Sequence, residues 1–327
     1  MSKYSNFPNG FTNGVTVRGI PIVQLHPGKV FYVNNSSVLA VDGVAGSDGN
    51  PGTLQRPFST IDYAVGRCTA GRGDIIMVMP GHAETITSAT SLVLDVAGIA
   101  IIGLGNGTSR PTLTFTTANT ATVPVSAANI TIKNILFVGN FLSIASAVTV
   151  GAAPDFTVEQ CEFRDTSAIL GFLSAITTTV TVNADRLTIR ECVIKSDATT
   201  KSVAPIVILG TMTGLTAEKN VVTQTVAQNN ISQFISHAAL VMTAALIKDN
   251  IVYSVNTDSA TGALLVTTSA TTGSGMIVGN RVRALDVASA ILVTATAVQY
   301  GMFDNLYTGE TTLASGFVLP AIGVDGS

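Results

Sequence analysis

The chain has 327 residues, of which 46% are hydrophobic and only 11% are charged, and its net charge is −3. An ordinary soluble domain carries about 25% charged residues. The lack of a basic excess excludes a duplex-DNA binder that neutralises phosphates, and the high hydrophobicity excludes a disordered chain. No apolar run approaches the roughly 18 residues of a membrane-spanning helix, and no basic and apolar leader predicts secretion.

The first 41 residues are predicted to form an irregular arm with two short β-like runs, Val15–Val17 and Val30–Val33. A Gly-rich loop follows, and Ser59 is the predicted N-cap of a short helix that ends near Cys68. The apolar run after Asp74 predicts a buried strand. We expect the helix to cover the end of whatever sheet structure follows, because an uncovered strand edge promotes aggregation.

From residue 130 onward, one eight-residue pattern recurs at intervals of 25 to 31 residues, with apolar residues mostly at the first, third and eighth positions. GIAIIGLG from Gly98 is a plausible earlier copy. Repeats of this length with alternating apolar residues predict the coils of a parallel β-helix. The seven copies are ITIKNILF from Ile130, FTVEQCEF from Phe156, LTIRECVI from Leu187, LTAEKNVV from Leu215, ALIKDNIV from Ala245, GMIVGNRV from Gly275 and YGMFDNLY from Tyr300.

The sixth position of the repeat changes along the chain from apolar residues to asparagine. An Asn at a bend tolerates unusual φ and ψ angles and can bond both its own backbone and the Asn of the next coil. The sequence therefore predicts an asparagine ladder, and it favours stacked thiols over a disulfide at the two Cys positions. The sixth-position residues are Ile135, Cys161, Cys192, Asn220, Asn250, Asn280 and Asn305.

The acidic residues of the repeats lie mostly at its fourth and fifth positions, mixed with basic residues. Stacked coils then place opposite charges side by side, which favours surface ion pairs over catalysis. An alternative is that Glu159 and Glu191, on adjacent coils, form the carboxylate pair that glycoside hydrolysis requires; the nearby Lys133 and Arg190 argue against it. The acids are Glu159, Glu162, Glu191, Glu218, Asp249 and Asp304, and the other bases are Lys219 and Lys248.

The remaining candidates are predicted to be structural. His26, His82 and His237 are isolated from other ligand-type side chains, apart from Glu84 near His82, and the Gly103–Gly107 segment lacks the Lys of a phosphate-binding loop. Residues 42–48 could hold Ca²⁺, but their spacing fits no standard calcium loop, so a turn is favoured. With Cys68, Cys161 and Cys192 too scattered for zinc, the sequence predicts no catalytic, cofactor-binding or metal-ligating residue.

Two segments resemble known families. The run GSDGNPGTLQRPFSTIDYAV with GDIIMVMPG, together with the repeats, resembles right-handed parallel β-helices of the pectate-lyase-like superfamily over roughly residues 42–310. The leader NFPNGFTNGVTVRGIP with HPGKVFYVNN resembles bacteriophage-encoded β-helix virion proteins. The resemblance implies an all-β, single-stranded, right-handed parallel β-helix of about 8–10 coils, with residues 1–41 as a partner-binding arm and 311–327 as a tail.

The expected function is that of a non-enzymatic head decoration protein. It would be made in the host cytoplasm and bind the major capsid protein on the outer capsid surface, as a homotrimer, without nucleic acid, membrane or cofactor. The charge-poor surface, with 43 threonines, suits extensive packing against other copies. The alternative is a tailspike or tail-fibre module that binds or cleaves a host surface glycan.

Overall fold

The computed structural model describes residues 15–17, 20–22, 28–37, 43–180, 184–196, 204–224, 233–237, 241–254, 263–267, 272–283, 292–294, 299–308 and 319–320. In these residues the chain winds as an all-β parallel β-helix whose coils recur about every 29 residues, matching the right-handed class. The predicted fold is thus confirmed. Most of the predicted arm and tail, and His26, lie outside the described residues. No helix in the described part is long and apolar enough to cross a membrane.

Each complete coil contributes one short strand to each of three parallel sheets. The strands are short because each coil bends sharply after three to five residues in most positions. Sheet 1 contains Val30–Val33, Ile75–Val78, Ala100–Gly103, Thr131–Lys133, Thr157–Glu159, Thr188–Arg190, Thr216–Glu218, Val241–Lys248, Thr272–Val278 and Gln299–Phe303, with Met212–Thr213 paired beside Val241–Lys248.

The other two sheets follow sheet 1 around the coil. Sheet 2 contains Ala83–Ile86, Thr112–Phe115, Leu136–Gly139, Glu162–Asp165, Val193–Ser196, Val221–Gln224, Ile251–Ser254, Arg281–Arg283, Leu306–Thr308 and Leu319–Pro320. Sheet 3 contains Val123–Val125, Val148–Val150, Ile176–Thr178, Ile206–Ile208, Gln233–His237, Ala263–Thr267 and Leu292–Thr294. Three further elements are described. They are an antiparallel strand pair, Val15–Val17 with Ile20–Ile22, a 3-10 turn, Gly107–Ser109, and one α-helix, α1, Ile61–Arg67.

The register of the sheets aligns the sequence repeat, so one apolar position lies above the next along the core. In sheet 1 the third repeat position is buried in six of the seven copies, as at Ile132, Val158 and Ile189, and partly buried at Met302 in the last. In sheet 2 the rings of Phe137 and Phe163 stack with centroids 4.7 Å apart. Because side chains alternate between faces of a strand, the flanking positions point outward and form the surface described below.

The predicted asparagine ladder is confirmed. The Nδ2 of Asn220 donates to Oδ1 of Asn250 at 3.0 Å, and the same bond links Asn250 to Asn280 and Asn280 to Asn305, each at 2.9 Å. Each Oδ1 also accepts the backbone N–H of the preceding coil's Asn, and each of these side chains is buried. Cys192 precedes the ladder and donates its backbone N–H to Asn220.

The unusual backbone conformation lies one residue earlier than predicted, at the fifth position and not at the Asn. A left-handed residue there turns the chain between sheets 1 and 2, which leaves the sixth residue free to point its side chain into the coil. Its φ is 52° to 67° in every copy of the repeat, at Asn134, Gln160, Glu191, Lys219, Asp249, Gly279 and Asp304.

Helix α1 covers the N-terminal end of the core with Ile61, Ala64 and Val65, which are buried. Its N-cap is Thr60, whose hydroxyl accepts from Tyr63 N, and the prediction of Ser59 as the cap was wrong by one residue. The reason is Asp48: its carboxylate accepts both Ser59 N and Thr60 N, at 2.9 and 3.1 Å, and so engages the Ser59 backbone itself.

Candidate functional site

The fourth repeat positions form a row of alternating charges on the outer face of sheet 1. The register pairs each residue with the next: Lys133 with Glu159, Glu159 with Arg190, Arg190 with Glu218, and Glu218 with Lys248. Two of these registered pairs form ion pairs at 2.7 Å: Lys133 with Glu159 Oε1, and Arg190 with Glu159 Oε2. The predicted placement of opposite charges side by side is confirmed here.

Both oxygens of Glu159 are therefore occupied by cations. Partial burial disfavours the charged carboxylate, but the hydrogen bonds and charges of Lys133 and Arg190 outweigh it and lower the pKa of Glu159. A general acid of a glycosidase needs the opposite shift, a raised pKa that keeps its proton at neutral pH. The environment of Glu159 thus stabilises an ionised, paired carboxylate.

Glu191 belongs to a different row from Glu159. It is the left-handed residue of the bend, and its Oε2 accepts a hydrogen bond of 2.8 Å from Nε2 of Gln160 in the preceding coil. On the coil of Glu191, the residue registered against Glu159 is Arg190. The structure therefore does not join Glu159 and Glu191 as a carboxylate pair. Asp249 and Asp304 continue the bend row of Glu191.

Glu162 is surrounded by cations on sheet 2. Arg110, Arg164 and Lys195 contact its carboxylate at 3.1, 2.9 and 2.9 Å. Burial opposes ionisation, but the Lys195 hydrogen bond and the positive charges lower the pKa of Glu162. This acid also has the character of a fixed anion.

His82 has a structural role at the N-terminal end of the β-helix, as predicted. Its buried Nδ1 accepts the backbone N–H of Asn35 at 3.1 Å, so Nε2 must carry the proton that it donates to Glu84 Oε1 at 2.7 Å. The same Glu84 oxygen accepts the N–H of Ile61 at the start of helix α1. Both ring nitrogens are engaged in holding the N-terminal coils together.

His237 is buried in sheet 3, and neither ring nitrogen has a hydrogen-bond partner within the described part of the chain. Burial lowers the pKa of His237 to about 4. The ring is therefore neutral at pH 7 and is shielded from solvent. Its isolation among apolar residues agrees with the structural role predicted for it.

The two repeat cysteines are free and buried, and burial raises the pKa of Cys161 to about 12 and that of Cys192 well above its usual range. Neither has the thiolate character of a nucleophile. Gly103–Gly107 forms the predicted turn, closed by Asn134 Nδ2, which donates to the carbonyls of Gly103 and Gly105.

The described residues include no group of three or more His, Cys, Asp or Glu arranged to hold a metal ion. Within the proposed calcium segment, the Asp48 carboxylate accepts Ser59 N and Thr60 N and contacts the Thr60 hydroxyl at 3.1 Å. Asp42 lies outside the described residues. The arrangement around Asp48 is that of a helix cap.

The outer face of sheet 2, built from the seventh and ninth repeat positions, was not predicted from the sequence. The seventh positions run Glu162, Val193, Val221, Ile251, Arg281, Leu306 and the ninth run Arg164, Lys195, Thr223, Tyr253, Arg283. Reading these two columns of the repeat alignment would have revealed a mostly apolar column, interrupted by Glu162 and Arg281, beside a column with three cations. We call the outward-facing set Arg164, Val193, Lys195, Val221, Ile251, Tyr253, Arg281, Arg283 and Leu306 the basic face.

No protein-family model and no curated protein sequence matches the chain. Solved structures similar to it include a rhamnogalacturonan lyase (12% identity, 79% of this chain and 74% of that chain, TM-score 0.40). A pectin methylesterase from Aspergillus niger is similar over 89% of this chain and 92% of its own, with 14% identity and a TM-score of 0.46. A GH136 lacto-N-biosidase from Eubacterium ramulus shares 12% identity over 87% of this chain and 68% of its own, with a TM-score of 0.39.

Proposed function

We propose that this chain is a non-enzymatic structural protein of a bacteriophage virion, a head decoration protein that binds the outer capsid as a homotrimer and stabilises it. The observation that supports the non-enzymatic part of this proposal is the pairing of Glu159 with two cations. Its two oxygens are held by Lys133 and Arg190 at 2.7 Å, and its pKa is lowered. The assignment to a virion rests on the leader segment, which resembles that of phage β-helix virion proteins.

The outer surface of sheet 1 supports the same proposal. Beside the charged row, the second repeat position is Thr in four consecutive coils, registered from Thr131 to Thr216. Hydroxyl and methyl groups in a regular column cost little to desolvate compared with charges. Such a surface suits burial against a protein shell.

Stabilisation of the capsid would follow from mass action. A protein that binds only the assembled shell lowers its free energy by RT ln(1 + [L]/Kd) per site, which is about 2.7 kcal/mol when the free concentration is 100 times Kd. A trimer suits this role because capsid lattices contain three-fold points where one arm per protomer reaches one neighbour.

The experiment that tests the proposal is tag labelling of intact virions, viewed by electron microscopy. We expect label spread evenly over the head, and heads lacking this protein should rupture at a lower temperature. Label confined to the tail tip would overturn the proposal in favour of the glycan-directed tail module. A polysaccharide depolymerisation assay with the Glu159→Gln and Glu191→Gln variants would then be decisive.

Deletion of residues 1–27 tests the predicted arm separately, because it removes most of the arm but keeps Val30–Val33, which is a strand of sheet 1. We expect the truncated protein to retain the β-sheet circular dichroism of the parent and to lose co-sedimentation with capsids. Retained capsid binding would reject the arm as the attachment segment. A deletion of 321–327, which keeps the strand Leu319–Pro320, serves as the control for loss of a terminal segment.

A further inference from the structure

The basic face combines charge and apolar surface in a way that its neighbouring sheet does not. Arg164 and Lys195 have side chains 45% and 48% exposed, and Ile251 is 46% exposed. Arg281 and Arg283 are exposed as well. On sheet 1 the charged row alternates in sign, whereas here four cations share one face with a single acid, Glu162.

These cations are incompletely neutralised. Arg164 and Lys195 both contact the single carboxylate of Glu162, which Arg110 contacts too. Arg283 stacks 4.8 Å from the ring centroid of Tyr253 and donates to its hydroxyl at 2.7 Å. Among the described residues Arg281 has no ion-pair partner. The face is therefore cationic in a chain whose net charge is −3.

The shape of the face is elongated. A depression of about 380 Å³ lies at its C-terminal end and is lined by Ile251, Tyr253, Arg281, Arg283 and Leu306. From the coil of Glu162 to that of Leu306 the registered seventh positions make five steps. At about 4.8 Å per step the face is about 24 Å long.

We propose that the basic face docks an acidic segment of the shell protein, which lies along the β-helix axis with carboxylates over the arginines and aliphatic side chains over Ile251 and Leu306. The identification of the partner as a shell protein rests on the proposed function; the acidic and aliphatic chemistry of the segment does not. Positive potential on one face of a negatively charged chain selects an oppositely charged partner and speeds its association.

Two other occupants fit this face less well. A second copy that presented the same face would bring like charges together, which costs several kcal/mol by general experience of interfaces. A polysaccharide is held best by aromatic platforms, whereas this face combines aliphatic residues with cations and its one ring, Tyr253, already stacks on Arg283. Aliphatic residues beside arginines favour a peptide.

The chemistry is tested in solution with a fluorescein-labelled 16-residue peptide of alternating Glu and Leu, measured by anisotropy. We expect the Arg281→Glu/Arg283→Glu variant to bind at least tenfold more weakly, and Ile251→Thr to bind severalfold more weakly. The control variant Lys29→Glu/Lys219→Glu makes the same charge change on exposed residues elsewhere and should bind like the parent. Circular dichroism and the thermal midpoint verify that all variants fold.

Equal peptide affinity in the arginine variant and the control would overturn the proposal. Sodium polygalacturonate is the competing probe. If it binds more tightly than the peptide and depends on the same arginines, the face binds an anionic polysaccharide and the proposal also fails. Binding of the peptide should weaken as NaCl is raised from 50 to 500 mM.

The partner is identified in virions with a benzoylphenylalanine photocrosslinker at position 251 and a control at position 44, an exposed residue of the loop before helix α1. We expect position 251 to crosslink to an acidic stretch of a shell protein. A crosslink to another copy of this chain, or labelled heads without a crosslink, would overturn the docking proposal while decoration stands. Unlabelled heads would overturn decoration, and the peptide assay would still decide the chemistry of the face.

Discussion

At the residue scale, the asparagine ladder makes each Asn indispensable to two coils at once. Asn250 donates to Ala217 O and to Asn280 Oδ1, and it accepts from Asn220. All of these groups are buried, so a partner lost there is not replaced by water. A buried polar group left without a partner costs about 1–3 kcal/mol.

We predict that Asn250→Ala lowers the free energy of unfolding by about 3 kcal/mol, because it leaves Asn220 N–H and the Ala217 carbonyl without their partners. Urea denaturation followed by circular dichroism measures the loss. Lys219→Ala, at the exposed residue one coil earlier, should change stability by less than about 0.5 kcal/mol. Similar losses in the two variants would contradict a specific role for the ladder.

His237 gives a prediction about pH. Its pKa is lowered by burial from 6.5 to about 4, so between those values the unfolded chain binds a proton that the folded chain does not. Stability is therefore fully present above about pH 6.5 and falls as the pH drops, by about 3 kcal/mol at pH 4. The lowered pKa values of Glu159 and Glu162 add losses mainly below about pH 4.5.

We expect the His237→Leu variant to lose this part of the pH dependence. The measurement is the difference in unfolding free energy between variant and parent, from urea curves at pH 7, 6, 5 and 4. The difference should grow in favour of the variant as the pH falls, whatever its value at pH 7. A difference that stays constant with pH would show that His237 does not titrate as its burial implies.

At the element scale, the charged row of sheet 1 links coils through side chains as well as through backbone. Glu159 has a side chain only 13% exposed and holds both Lys133 and Arg190. Glu191, in the adjacent row, contacts the neutral Gln160. The two glutamates, on adjacent coils, therefore offer a matched comparison between an ion-paired acid and one bonded to a neutral amide.

We predict that Glu159→Gln costs about 1 kcal/mol of stability, because it leaves two cations facing each other, and that the cost shrinks in 0.5 M NaCl. Glu191→Gln should cost a few tenths of a kcal/mol at most, with a weaker salt dependence, because the charge of Glu191 makes only a minor contribution at Arg190. Thermal unfolding at two salt concentrations gives both values. An equal effect of salt on the two variants would argue against the ion pairs.

The repeat alignment predicted much of this element structure and missed the part that depends on backbone geometry. The alignment itself placed Arg190, not Glu191, at the position of Glu159, so the splitting of the two acids could be seen in the sequence. The shift of the left-handed residue from Asn220 to Lys219 could not, because Lys has no preference for that conformation. The cap shifted to Thr60 because of Asp48, 12 residues away in sequence.

At the scale of the whole molecule, both ends of the β-helix are covered in different ways. At the N-terminal end, helix α1 packs on the core and residues 52–58 bond the edge strand Val30–Val33 through Tyr32. At the C-terminal end, Leu319–Pro320 pairs antiparallel with the last strand of sheet 2, Leu306–Thr308. An uncovered last strand would template pairing with another chain.

We predict that deletion of residues 309–327 produces concentration-dependent oligomers, because the edge at Leu306–Thr308 loses its partner strand. Size-exclusion chromatography with light scattering compares the truncated and full chains between 5 and 200 μM, on the order of typical assay concentrations for weak strand-edge association. Identical masses across this range would show that Leu319–Pro320 is dispensable for protecting the edge.

The bonds of Asn220, Asn250 and Asn280 are the same in each coil, so nothing in the ladder marks a coil's place in the series. Removing or duplicating one coil of about 30 residues there would preserve every ladder bond and both end covers, and would change the length by about 4.8 Å. The length of this molecule is thus an integer number of coils. Duplication or deletion of a coil-encoding segment of the gene can therefore change the length of the molecule in equal steps.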